Sequence, residues 1–196
     1  HRCQKPDLCY NEKELEVRRM NIFVTDHSPR KSAQALPDKH VVKMPLETCQ
    51  MLSIVFSHWY FDWGDDLLHK KDGTPYKTSK GAFRNHPCTQ WAGKSLFNTA
   101  WLIQHGCALS TEYTHRYGKE HGCRKTLFEA KKIFHRFADE AITCYSYVQD
   151  YAFAGPDEFK YDTSIDTLTA YKRYIRSKPW VASNYLRDPS RKPDWV

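Results

Sequence analysis

Residues 38–52, DKHVVKMPLETCQML, decide the reading of this chain. Val42, Leu46, Cys49 and Leu52 recur at the spacing of one helix face, which predicts an amphipathic helix with those four toward the core. Lys39, Lys43, Glu47 and Gln50 fall together on the opposite side, because residues four apart on a helix are neighbours. Asp38 is placed to cap the first turn. Pro45 lies inside the run, removes one backbone donor and is expected to kink the helix. A single acid, Glu47, stands among cations, and that is the chemical question the stretch raises.

Upstream, SPRKSAQAL (28–36) predicts a short helix, with Ser28 as N-cap and Pro29 at the first helical position. MNIFVTD (20–26) allows at most a short strand at Ile22–Thr25. Residues 1–19 are polar, charged and without periodicity, and read as an N-terminal extension before a domain spanning 20–196. Downstream, 57–83 is a long excursion with turns at Asp72-Gly73 and Thr74-Pro75. A connection of that length is often functional.

Helical periodicity returns over 85–118, with Trp91, Leu96, Ala100, Ile103 and Cys107 as the apolar stripe. It recurs over 124–153, ended by Gly155-Pro156, and over 165–179, while the tail 180–195 is aromatic and basic with little regular structure. The expected fold is mainly α, a compact single-domain helical bundle of five or six helices. Its expected core is Val42, Leu46, Leu96, Ile103, Leu127, Phe134 and Ile142.

The chain has 196 residues, 30 Lys and Arg against 23 Asp and Glu, and 14% aromatics. That length suits one domain with a real core. The +7 charge suits an anionic partner, nucleic acid first. No apolar run is long enough for a membrane span and no secretory leader pattern is seen. Seven cysteines without a CxxC pair argue for reduced thiols rather than a disulfide framework.

Three constellations carry possible chemistry. Lys39, His40, Lys43 and Glu47 combine an acid–base group with cations that hold phosphates; the plainer alternative is a solvated face with ordinary four-residue pairs. His86, Cys88, His115, His121 and Cys123 are metal-ligating types, but their spacing fits no zinc pattern, so no metal is expected. The same holds for a His86–Cys88 nucleophile pair, whose members need not face each other. Tyr113, His115, Arg116, Tyr117 and Lys119 interleave aromatics with cations, as in surfaces that stack bases and hold phosphates. Phosphate-loop, dinucleotide and nucleophile-elbow motifs are absent.

MNIFVTD (20–26), AQALPDKHVVKMPLETCQMLS (33–53), TPYK (74–77), NHPCTQWAGKS (85–95), EYTHRYGKEH (112–121), GPDEFK (155–160) and YKRYIRSKPW (171–180) resemble a phage-encoded family of pyrimidine dimer DNA glycosylases of the endonuclease V type. The resemblance runs from about Met20 to the end. In those enzymes the catalytic glutamate follows the aspartate of a helix start by nine positions, and here Glu47 follows Asp38 by nine. NHPCTQW is similar to a later family segment and places His86.

The resemblance implies a DNA glycosylase and abasic-site lyase acting on damaged or modified pyrimidines in duplex DNA. No cofactor, metal or membrane partner is implied, and the oligomeric state stays open. Glu47, His40, Lys43 and Asn21 would carry catalysis. Lys39, His86, Lys94, Tyr113, His115, Arg116 and Lys119 would bind the DNA. The protein would work in the host cytoplasm or be virion-associated.

In the resembled enzymes a free α-amine attacks the sugar, since an amine of pKa about 8 is deprotonated more readily than lysine. Residues 1–19 precede the expected start here, and Asn21 is not the small residue that favours removal of an initiator Met. Lys39 or Lys43 would then substitute, or Glu47 would activate water. The competing expectation is a non-catalytic nucleic-acid-binding or virion protein on the same scaffold.

Overall fold

The computed structural model describes residues 20–79, 81–138 and 147–196. Ser28 caps α1 (Pro29–Gln34) as expected, its hydroxyl accepting the Lys31 N–H at 3.3 Å with Pro at N1. α2 (Asp38–Phe56) runs unbroken through Pro45. A short α3 (Gly81–Arg84) leads into α4 (Pro87–Lys94), α5 (Leu96–Tyr117) and α6 (Arg124–Ala138). The last elements are α7 (Asp157–Lys160), α8 (Thr167–Arg176) and 3-10 turns at Val181–Ser183 and Pro189–Arg191. α5 is the central element, packing against α1, α2, α4 and α6. Ser95 caps its start, and Gly118, at φ 67°, ends it by returning its N–H to the Thr114 carbonyl.

The mainly α expectation holds. Among the described residues there is no strand: Ile22–Thr25 is buried but unpaired with any other segment. Side chains satisfy its amides instead. Asn21 Oδ1 accepts from Ile22, and Ser32 Oγ from Thr25. No helix among the described residues is long and apolar enough to cross a membrane.

The phase of α2 differs from the sequence expectation. Val42 and Leu46 are 43% and 44% exposed, whereas Val41, Met44, Thr48, Cys49, Met51, Leu52 and Val55 face the interior. Glu47 and His40, expected on a solvated face or an open cationic one, are buried. The helix has more than one apolar row, and its neighbours α4, α5 and α6 cover most of its circumference. Only a narrow strip through Lys39, Val42, Lys43 and Leu46 stays exposed. Leu96 is likewise 37% exposed, while Ile103, Leu127 and Phe134 are core and Ile142 lies outside the described residues.

Asp38 is the first residue of α2, not its cap. Its N–H and that of Lys39 are met by Asn184, through the backbone carbonyl and Oδ1. The Asp38 carboxylate turns to the Leu186 and Arg187 amides and to Arg116. The excursion 57–83 is stapled down: His69 bonds Glu129 on α6 through both its ring and its amide, and Trp59 Nε1–H reaches the Thr78 carbonyl.

Candidate active site

Asn21 and Glu47 meet at the middle of α2. The Asn21 backbone N–H donates to Glu47 Oε2 at 2.9 Å, and Lys43 Nζ lies 3.1 Å from Glu47 Oε1. Asn21 is itself fixed, since its Oδ1 accepts from Ile22 N–H and its Nδ2 donates to the Ala154 carbonyl. Burial raises the Glu47 pKa above the ordinary carboxylate range, and the Lys43 ammonium and the Asn21 amide pull it back. The result is a carboxylate held in place by two donors, with its proton affinity raised by burial.

His40 stands two turns before Glu47 on the same side of α2. Its ring stacks on Phe23 at 4.1 Å and meets Trp180 edge-on at 5.6 Å. Burial, then the charges of Lys178 and Lys43, push its pKa down to about 3, so the imidazole is neutral at physiological pH. Its buried Nδ1 has no hydrogen-bond partner among the described residues. Phe23 adopts φ 43°, in the left-handed region that a bulky residue rarely enters. Such strain costs about 1–3 kcal/mol and concentrates at functional sites.

These residues border a cavity of about 790 Å³. Lys39, Lys43, Lys160 and Lys178 line it, with Phe23, Tyr174 and Trp180; no carboxylate among the described residues does, and Glu47 lies behind two of the lining residues, Asn21 and Lys43. Lys39 lies 4.4 Å from the Trp180 ring centroid and Lys178 4.3 Å from that of Tyr174. Aromatic faces with cations between them suit bases and phosphates together.

Of the expected catalytic residues, Asn21, His40, Lys43 and Glu47 are brought together here. Of the expected DNA contacts, Lys39 lines the cavity, whereas His86 does not, although its neighbour Pro87 does. His86 is buried as the N-cap of α4, its Nδ1 accepting the Cys88 N–H, and burial lowers its pKa. Lys94 is exposed, 3.6 Å from Asp150.

The row at the end of α5 lies away from the cavity. Tyr113 stacks on Tyr117, His115 pairs with Asp188 at 2.7 Å, and Lys119 is exposed in the following loop. Arg116 has no exposed side chain: it holds Asp38 and Glu112 and the carbonyls of Leu36 and Gln34. Its donors are spent on joining α1, α2 and α5.

The Cys88 thiol is fully buried and pushed up to about 12 by that burial, which removes it as a nucleophile. Among the described residues no three His, Cys, Asp or Glu side chains gather as a metal site.

Phe23, Lys160, Tyr174, Lys178 and Trp180 were missing from the sequence expectation. The available signal was the alternation of aromatics and cations in YKRYIRSKPW (171–180).

The family model of pyrimidine dimer DNA glycosylases matches residues 20–125. Neither the curated proteins nor the solved structures provide a match. The matched segment holds Asn21, His40, Lys43 and Glu47, while Tyr174, Lys178 and Trp180 close the cavity from beyond it. The chain belongs to the pyrimidine dimer DNA glycosylase family and is a DNA glycosylase, with DNA as its substrate.

Proposed function

We propose that this protein removes damaged or modified pyrimidines from duplex DNA and then cleaves the abasic strand, with Glu47 as the acid–base residue. The observation that carries this reading is the 2.9 Å contact from the Asn21 backbone nitrogen to Glu47 Oε2, at the edge of a cavity lined by lysines. A chain whose first residue is Asn21 would have its α-amine at that nitrogen. The amine would attack C1′ as the C1′–N bond to the base breaks and the base leaves with a proton; the C1′–O4′ bond would then open, O4′ taking a proton by way of Glu47, and an imine would join protein and sugar. Glu47 would take the C2′ proton, and the 3′ C–O bond would break by elimination. Where residue 21 is preceded by a peptide bond, its nitrogen is an amide and does not attack. Lys43, at 3.1 Å from Glu47, is then the nearest alternative amine, or Glu47 activates water without imine formation.

Borohydride trapping on ultraviolet-irradiated duplex DNA tests this, with chains beginning at His1, Met20 and Asn21 compared. A covalent adduct formed best by the Asn21 chain assigns the α-amine. An equal adduct from all three that vanishes in Lys43→Gln assigns Lys43. Alkali-labile sites without an adduct assign water activation. DNA binding without adduct or labile sites rejects catalysis on dimers and leaves a binding protein on this scaffold.

A further inference from the structure

A second cavity, of about 360 Å³, follows the first along the exposed strip of α2. Lys39 and Lys43 line the first; Leu46, Gln50 and Ser53 line the second, opposite Lys70, Tyr76, Lys77 and Phe83. From Lys43 to Gln50 is a rise of about 10 Å along the helix. That equals the axial rise of roughly three nucleotides of a duplex strand.

We propose that this second cavity is a further contact for the same duplex, in which Lys70 and Lys77 hold backbone phosphates a few nucleotides from the reacting one. The inference rests on the DNA reading above. Val42 and Leu46, the exposed apolar pair on this strip, lie against the groove between the two phosphate contacts. Charge complementarity identifies the occupant: no carboxylate lines the cavity, and neither lysine makes an ion pair among the described residues. Asp72 feels the Lys70 charge without ion-pair contact, and Asp62, Asp65 and Asp66 of the same loop lie outside the lining.

The loop holds its lysines in place. A turn fixes Lys70, whose N–H meets the Thr74 carbonyl at 2.8 Å while its carbonyl accepts from Gly73 at 2.9 Å. Tyr76, next to Lys77 in the chain, is buried, with its amide bonded to the Leu68 carbonyl and its ring centroid 5.7 Å from the Lys70 ammonium. Lys70 and Lys77 are thereby presented on a fixed frame beside the helix that carries Glu47.

The test is the salt dependence of affinity for an ultraviolet-irradiated duplex. It compares the unaltered chain, Lys70→Gln/Lys77→Gln, and a charge-matched control, Lys125→Gln/Lys132→Gln on α6. Each phosphate contact contributes about 0.9 to the slope of log K against log salt. The Lys70/Lys77 variant is expected to lose about 1.8 of that slope and the control much less. A duplex trimmed close to the lesion on either side in turn should abolish the difference for one side. An unchanged slope, or an equal loss in the control, overturns the inference while Glu47→Gln still reports on catalysis. No DNA binding by the unaltered chain overturns both.

Discussion

Replacing Glu47 by Gln separates chemistry from scaffold. The carboxylate makes two contacts, to the Asn21 N–H at 2.9 Å and to Lys43 Nζ at 3.1 Å. The amide oxygen of Gln can keep the first, so the loss there is the difference between a charged and a neutral acceptor, about 1 kcal/mol. The second involves a lysine side chain that is 56% exposed, so it is a solvent-screened pair worth about 0–1 kcal/mol. Against these losses stands relief from burying a charge, the cause of the raised Glu47 pKa. A carboxylate whose folded pKa lies above its unfolded one contributes stability below the unfolded pKa. It loses that contribution as pH rises through the folded value. Glu47→Gln removes this penalty at neutral pH. The net change is within about 1 kcal/mol, a melting shift of no more than about 4 °C for a domain of this size. Loss of an acid–base group costs about 10²–10⁴-fold in rate. The assay is single-turnover appearance of alkali-labile sites in irradiated duplex, with melting by circular dichroism and affinity by anisotropy. Excision within threefold of the unaltered chain would refute the role of Glu47. A fall in affinity matching the fall in rate would make it a binding residue.

Gly106 lies where α2, α5 and α6 meet, and a Cβ there would sit 2.7 Å from Thr48 Cγ2 and from Leu127 Cδ2. Gly106→Ala should therefore destabilise by about 1–3 kcal/mol, read by urea melting. Arg116→Ala leaves the buried Asp38 without its arginine and Glu112 with Arg191 as its remaining partner, and should cost about 3–5 kcal/mol. DNA affinity per folded molecule should stay unchanged, whereas a phosphate contact would lower it and the salt slope together. His40 and His105, both buried and both pushed down to about 3, bind protons readily only when unfolded. With folded values below unfolded ones, their stability contribution is full above pH about 6.5 and falls as pH drops toward 3. Urea midpoints at pH 7 and pH 5 measure it, and His40→Gln should make the difference between them smaller.

Local signals set much of the helical framework. Ser28-Pro29 started α1, the 85–118 periodicity gave α4 and α5, and the 165–179 periodicity gave α8, which Asp166 proves to cap by accepting the Thr169 N–H at 2.7 Å. The phase of α2 was not legible, because a helix covered on several sides carries apolar residues on more than one row. The partners of Arg116 and Asp38 were equally hidden: these residues are 78 positions apart, and Asn184, which meets the start of α2, is 145 positions from Lys39. Aromatic–cation rows occur both at the end of α5 and in 171–180, and composition does not say which one faces the acid. The fold decides it by laying Tyr174, Lys178 and Trp180 across His40 and Phe23.

Three departures from ordinary folding rules gather at one cavity: Phe23 in the left-handed region and a buried His40 Nδ1 with no partner among the described residues, both in its lining, and a buried Glu47 just behind it. Each is unfavourable, and a fold keeps such features where the surroundings over-determine them. The surroundings here do so through Asn21. Its Oδ1 accepts from Ile22 at 2.9 Å and more distantly from Phe23 at 3.4 Å, a side-chain turn that bends the chain just after residue 21. Phe23, in its strained conformation, completes the bend and stacks on His40. The bend leaves the Asn21 nitrogen directed at Glu47. The strain at Phe23 and the position of that nitrogen are therefore parts of one local arrangement, and relaxing the first would move the second away from the acid.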